Sequence, residues 1–344
     1  MEEKEKITPN AESLNYPLRE SGSSYSPLGV RGSSSFNEQV SSFFQEQISN
    51  WELARLNYEG LKTVRTKTVS FGDYDVKVQF NPARITSTGA KMDAKTVAAR
   101  KCFLCQENLP AEQRSIDAGE YTILVNPFPI FPQHFTIPYK QHIDQKIKPY
   151  FSDMLELAKA LDDYLVFYNG PKCGASAPDH LHFQAGTKDF LPLTGDYKRL
   201  KPTHARLLDE GENYQLFSLD NYGRTVYCIE SDTIVSARNV FENLNLSLTL
   251  SRGEGIRKTG GEGMREDGEP LMNIVCSYED GIWYTYIFPR AAFRPWQYSA
   301  AGNEQLLVSP ATVEMSGIFI TPVESHFERI TKDDIESILQ QVSI

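Results

Sequence analysis

The residues with the most chemistry per length of chain lie in one stretch, Asn169-Gly-Pro-Lys-Cys-Gly174-Ala-Ser176-Ala-Pro-Asp-His180-Leu-His182-Phe-Gln184. Alternate residues of a β-strand point to one face, so a strand over 180–186 projects His180, His182 and Gln184 together. Two imidazoles and an amide on one wall are costly to bury without partners, which calls for a metal, a substrate or another ligand. The plain alternative is a pair of surface histidines on an exposed strand. The preceding loop favours the first reading, because Gly174 and Ser176 offer backbone N–H groups and a hydroxyl of the kind that cradles a phosphate. A neutral imidazole beside such a cradle can attack phosphorus and carry a phosphoramidate, splitting one displacement into two.

A second group is Cys102-Phe-Leu-Cys105. A two-residue gap lets both thiolates reach one zinc ion, and of the six histidines His142 and His180 could complete a Cys2His2 set. A thioredoxin-like redox pair competes, but no strand precedes the motif in the βαβ context that such a pair needs. Cys173, Cys228 and Cys276 read as small buried hydrophobes. Arg84, Lys91, Arg290 and Arg294 are candidates for gripping substrate phosphates, with solvated surface charge as the alternative for any one of them. The Gly-rich run 252–268 lacks the Gly-Lys-Ser/Thr ending of a phosphate loop and reads as a connection.

These groups need elements to hold them. Phe36, Val40, Phe43, Phe44, Ile48 and Trp51 follow a helical period, and two alternating runs over 63–71 and 74–80 flank a Gly72–Asp73 hairpin signal. Strands are expected at 121–125, 134–138, 164–168 and 180–186, with a helix over about 149–162 before the third. A weaker second copy follows: strand 224–229, helix 233–246, strand 272–278, a turn at Glu279-Asp280-Gly281, and strand 283–289. There Trp283, Tyr284 and Thr285 occupy the place of the histidines. Thr331 and Asp334 form a capping pair before a last helix with Ile335, Ile338, Leu339 and Val342.

The chain has 344 residues, 40% hydrophobic and 23% charged, which suits a folded protein of one or two domains. A net charge of −10 argues against a nucleic-acid-coating role. No stretch approaches a bilayer span and the N-terminus has no apolar signal core, so the expectation is a cytoplasmic protein with no membrane partner. Residues 1–35 read as a polar, flexible arm, 36–204 as the catalytic half with the zinc site, and 205–344 as a second, non-catalytic half.

Three motifs make the sequence resemble the histidine-triad (HIT-like) superfamily, in the branch of galactose-1-phosphate uridylyltransferase, diadenosine tetraphosphate phosphorylase and GDP-hexose phosphorylase. They are the Cys102–Cys105 pair, His134-Phe-Thr-Ile-Pro-Tyr-Lys-Gln-His142, and His180-Leu-His182-Phe-Gln184-Ala, the last especially similar to GDP-hexose phosphorylases. A fainter match runs from Pro310-Ala-Thr-Val-Glu-Met to Ile330-Thr-Lys-Asp. The resemblance implies an α+β fold of HIT-like antiparallel sheets and helices in two halves. It implies His182 as nucleophile, Gln184 as the amide donating to the bound phosphate, Asn169 and Ser176 near the phosphates, and Cys102, Cys105, His142 and His180 as ligands of a structural zinc. The substrate implied is a nucleotide sugar or dinucleoside polyphosphate and the acceptor inorganic phosphate or a sugar phosphate; a homodimer is compatible with it. Gln184 stands where hydrolases have a proton-transferring His, which favours transfer over hydrolysis. A nucleotide hydrolase and a non-enzymatic zinc-stabilised nucleotide-binding protein are the alternatives. The chain departs from the family in having one more residue, Asp179, in Ser-Ala-Pro-Asp-His than in Ser-x-Pro-His, and in Tyr139, where smaller members have Lys.

Overall fold

The alternating runs near the start produce the expected hairpin: β1 (Arg65–Ser70) and β2 (Asp75–Phe80) pair antiparallel around Gly72, whose φ of 91° is one that glycine adopts without steric cost. A computed structural model describes residues 34–89, 94–255 and 270–344 of the chain. Lys91 and nearly all of the arm over 1–35 lie outside the described residues, as does most of the run 252–268.

Ten strands form one sheet: β3 (Ser115–Ala118), β4 (Tyr121–Val125), β5 (His134–Pro138), β6 (Tyr164–Asn169), β7 (His182–Thr187), β8 (Ala205–Gly211), β9 (Tyr214–Leu219), β10 (Tyr227–Ser231), β11 (Met272–Glu279) and β12 (Ile282–Pro289). Their order is β3-β4-β5-β7-β6-β11-β12-β10-β9-β8. Read outward from the β6–β11 seam, the two sides have the same connectivity, and each has a helix before its seam strand, Phe151–Ala160 in one and Ile234–Gly255 in the other. The two-half antiparallel architecture expected from the sequence is therefore present. Phe151 and Phe241, one from each helix, stack with centroids 4.0 Å apart over one face of the sheet.

The register gives the copy a residue-level meaning. Pro138 of β5 lies opposite His182 of β7, and Ser231 of β10 lies opposite Trp283 of β12. Trp283 thus takes the place of His182, buried with its Nε1–H donating to the Leu155 carbonyl at 2.9 Å. The other face of the sheet is covered by a three-stranded sheet, in which β13 (Ile318–Thr321) runs parallel to β2, and by the helices Pro192–His204, Glu324–Arg329 and Lys332–Val342. Thr331 and Asp334 cap the last helix reciprocally, at 3.2 and 2.8 Å, and its Ile335, Ile338, Leu339 and Val342 are buried.

Two expectations change, and one helix was not foreseen. The first helical period is two helices, Ser34–Asn50 and Glu52–Leu61, broken at the extended backbone of Trp51. The helix Pro192–His204 contains Gly195 and Pro202, so its sequence shows no clean helical stripe. Strand β7 starts at His182, not His180. His180 therefore lies in the turn before β7 and does not share its side with His182 and Gln184.

Candidate functional site

The site sits where β6 and β7 part. Their ladder pairs Tyr164–Phe167 with Thr187–Gln184 and then opens, leaving the backbone of Asn169 and His182 to find other partners. The buried Gln145 amide fills the fork: its Oε1 accepts the His182 N–H at 2.7 Å, and its Nε2 donates to the carbonyls of Asn169 at 2.9 Å and His182 at 3.1 Å.

His182 Nδ1 meets the His180 carbonyl at 2.8 Å. A carbonyl only accepts, so Nδ1 carries the proton and Nε2 keeps a lone pair, with no hydrogen-bond partner among the described residues. Burial holds this imidazole well below its ordinary value, down to about 4, so the ring is neutral at neutral pH. Gln184 is aimed by a similar chain. The Ile130 N–H donates to His134 Nδ1 at 3.2 Å, so His134 Nε2 carries the hydrogen and donates to Gln184 Oε1 at 3.0 Å. The Gln184 NH2 is thereby left for a ligand. Burial pushes His134 down to about 3 and keeps it neutral in this role. His134 belonged to a motif in the sequence, but its positioning role was missed, because that role is visible only from the tautomer.

His182 and Gln184 open into a cavity of about 430 Å3, within the range of small-molecule sites. Asn169, Gly174, Ser176, Arg84 and Arg294, all candidates named from the sequence, line it too. Arg84 donates to the Phe128 carbonyl at 2.8 Å, and Arg294 Nε to Ser309 Oγ at 3.0 Å. Arg100, which the sequence did not single out, joins the lining and donates to the Ser176 carbonyl at 2.6 Å. Glu314 lines it as well, close enough to Arg84 to interact with its charge, and burial pushes its carboxyl up to about 7. Part of the remaining wall is apolar, with Trp51, Leu53, Phe103, Leu104 and Phe128.

Arg290 is placed differently from the expectation. It is fully buried, does not line the cavity, and donates to the carbonyls of Val342, Pro310, Ala292 and Phe293 and to Asn273 Oδ1. It cannot also grip a substrate phosphate, because its guanidinium is committed to the protein.

Cys102, Cys105, His142 and His180 come together, with their ligand atoms all within 4.8 Å of one another, and could hold a metal ion. His180 Nδ1 lies 3.2 Å from Cys102 Sγ and 3.6 Å from Cys105 Sγ, and His142 Nδ1 lies 3.3 Å from Cys105 Sγ. The donor set suits zinc: two thiols and two imidazoles gathered within 4.8 Å, with His180 Nε2 held by the Tyr139 carbonyl at 2.8 Å so that Nδ1 faces the sulfurs. Burial, with Cys102 alongside, pushes the Cys105 thiol up to about 11, a strain that a bound cation would relieve. Asp179, the residue beyond the family pattern, stands 3.6 Å from His142 Nε2 and 4.0 Å from Arg100.

Comparison with known proteins bears on the fold. The family described as a domain of unknown function, DUF4922, matches residues 43–187. The particular likeness is to the crystal structure of yeast Ap4A phosphorylase Apa2, at a TM-score of 0.60 and 17% identity, covering 91% of this chain and 99% of that one. The same yeast protein in complex with Ap4A matches at a TM-score of 0.58 and 16% identity over 91% and 99% of the two chains, and in complex with AMP at 0.55 and 16% over 91% and 98%. No curated protein matches the sequence.

Proposed function

We propose that this chain is a nucleotidyltransferase of the phosphorylase kind, carrying a nucleoside monophosphate on His182 from a dinucleoside polyphosphate or a nucleotide sugar to inorganic phosphate or a sugar phosphate. The observation that carries the reading is the neutral His182 ring, pinned through Nδ1 to the His180 carbonyl, with Nε2 free beside the Gln184 amide.

In the first step the Nε2 lone pair forms a bond to the α-phosphorus, and the phosphoanhydride P–O bond breaks with its electron pair leaving on the departing phosphate. The ring becomes cationic and keeps its Nδ1 proton on the His180 carbonyl. In the second step an acceptor oxygen attacks phosphorus and the P–N electron pair returns to Nε2. Donors from Gln184 and Asn169 stabilise charge on the non-bridging oxygens. Gln184 has no proton to give a leaving group or take from water, which suits a phosphate acceptor better than water. An Ap4A-type substrate is the one for which the fold likeness speaks, and the apolar wall suits a nucleobase. A zinc ion held by Cys102, Cys105, His142 and His180 would be structural, anchoring the turn that carries the His180 carbonyl.

Intact mass measured after incubation with Ap4A, ATP, GDP-glucose or UDP-glucose tests the reading. Wild type should gain an acid-labile nucleoside monophosphate that phosphate discharges, and His182→Ala should gain none. Hydrolysis without a phosphate requirement would turn the reading to a hydrolase, and tight binding with neither adduct nor turnover to a nucleotide-binding protein.

A further inference from the structure

The second half of the sheet contributes no nucleophile, yet it reaches the site across the seam. Asn169, the last residue of β6, lies directly opposite Asn273 of β11. Its side-chain oxygen accepts from donors that all lie beyond residue 270: the Thr312 N–H at 2.9 Å, Asn273 Nδ2 at 2.8 Å and the Thr312 hydroxyl at 2.7 Å, whose one hydrogen also faces the Tyr168 carbonyl at 3.0 Å. A backbone N–H only donates, so the atom it meets must be oxygen, which fixes which way the Asn169 amide faces. Asn273 is fixed at both ends as well. Its Nδ2 also donates to the Cys173 carbonyl at 2.7 Å, and its Oδ1 accepts from Arg290, which can only donate. Asn273, Thr312 and Arg290 are all buried.

With Oδ1 saturated, the Asn169 NH2 has no partner among the described residues and belongs to a side chain lining the cavity that holds His182. We infer that Asn273 and Thr312 are positioning residues: backed by Arg290, they turn the Asn169 amide so that its N–H bonds face the phosphate under attack. This deepens the transfer reading and rests on it for the identity of the reaction. It also gives the second half a task, which is to aim a donor of the other half. If the Asn169 amide turned over, an acceptor would face the phosphate oxygens and the buried Thr312 N–H and Asn273 Nδ2 would meet an NH2, so the arrangement has one stable sense.

The test uses the full chain with Asn273→Asp, which keeps size and an acceptor for Arg290 but replaces the donor, and with Thr312→Val and Thr312→Ser. Single-turnover labelling of His182 should slow roughly tenfold or more in Asn273→Asp and Thr312→Val while the nucleotide Kd moves less than about twofold, and Thr312→Ser should recover most of the rate. In an Asn169→Ala background the same substitutions should cost less than about twofold, because their effect passes through Asn169. Full additivity in that background, or a loss confined to binding, overturns the inference. If Asn273→Asp does not fold, the Thr312 pair decides. A second readout needs no transfer: the Asn169 side-chain NH2 resonance, assigned by its loss in Asn169→Ala, should shift when AMP is added to wild type and stay put in Thr312→Val. If wild type forms no adduct but this pattern holds, the transfer reading has failed and the aiming stands; equal shifts in wild type and Thr312→Val overturn the aiming alone.

Discussion

If His182 is the nucleophile, as proposed, its working range is set by what surrounds one ring. An exposed imidazole titrates near 6.5, whereas burial holds His182 at about 4. The reactive form is the deprotonated one, so its population is full above the folded value and falls only as pH drops through it. With Ap4A, which has no terminal phosphate to titrate, the labelling rate should be flat from pH 8 to about 5 and fall below that; an acid limb near 6.5 would mean that the ring is solvated. The sequence showed which residue types stand here, since His182, Gln184, Asn169, Gly174 and Ser176 all line the cavity. It did not show which nitrogen of His182 is free or which end of Gln184 faces the ligand. Those follow from the His180 carbonyl and from the Ile130 N–H acting through His134, contacts that exist only in the folded chain.

At the scale of elements, the loop after β6 is shaped by close approach. Gly174 has φ of 99°, and a Cβ there would come within 2.4 Å of the Ala311 Cβ and 3.2 Å of its Cα. Gly174→Ala should therefore both strain the backbone, by about 1–3 kcal/mol, and push the loop off the chain it packs against. Labelling should fall more than ten-fold while the fold persists by circular dichroism, and unchanged labelling would show that the loop has slack. Hairpins, capping and the helix before β6 were legible because each depends on neighbours in sequence. The start of β7 was not. His180 and His182 look equivalent in an alternating pattern, but the sulfurs of Cys102 and Cys105 take one and the Gln145 amide anchors the other, and both partners are remote in sequence.

For the whole molecule, the Cys2His2 group joins three segments that are otherwise separate along the chain. If it holds zinc, purified protein should contain about one zinc per chain, and strong chelation should lower the thermal midpoint and abolish labelling together, because the His180 turn loses its anchor. A wild type that is metal-free and equally stable would remove zinc from the account. The pattern of two copies was visible in the sequence, but the join between them was not, since the β6–β11 pairing and the return of Thr312 to Asn169 are long-range choices of register.

That join bears on how a nucleotide gets in. Because β6 and β11 share one hydrogen-bond ladder, the halves cannot swing apart like jaws without breaking the backbone bonds that hold Asn169 and Asn273 opposite each other. Traffic must pass through the cavity's mouth, where Leu53, Phe103 and Phe128 are exposed. On the proposed reading, a nucleotide would meet this greasy rim with its flat base before its charged end reached His182.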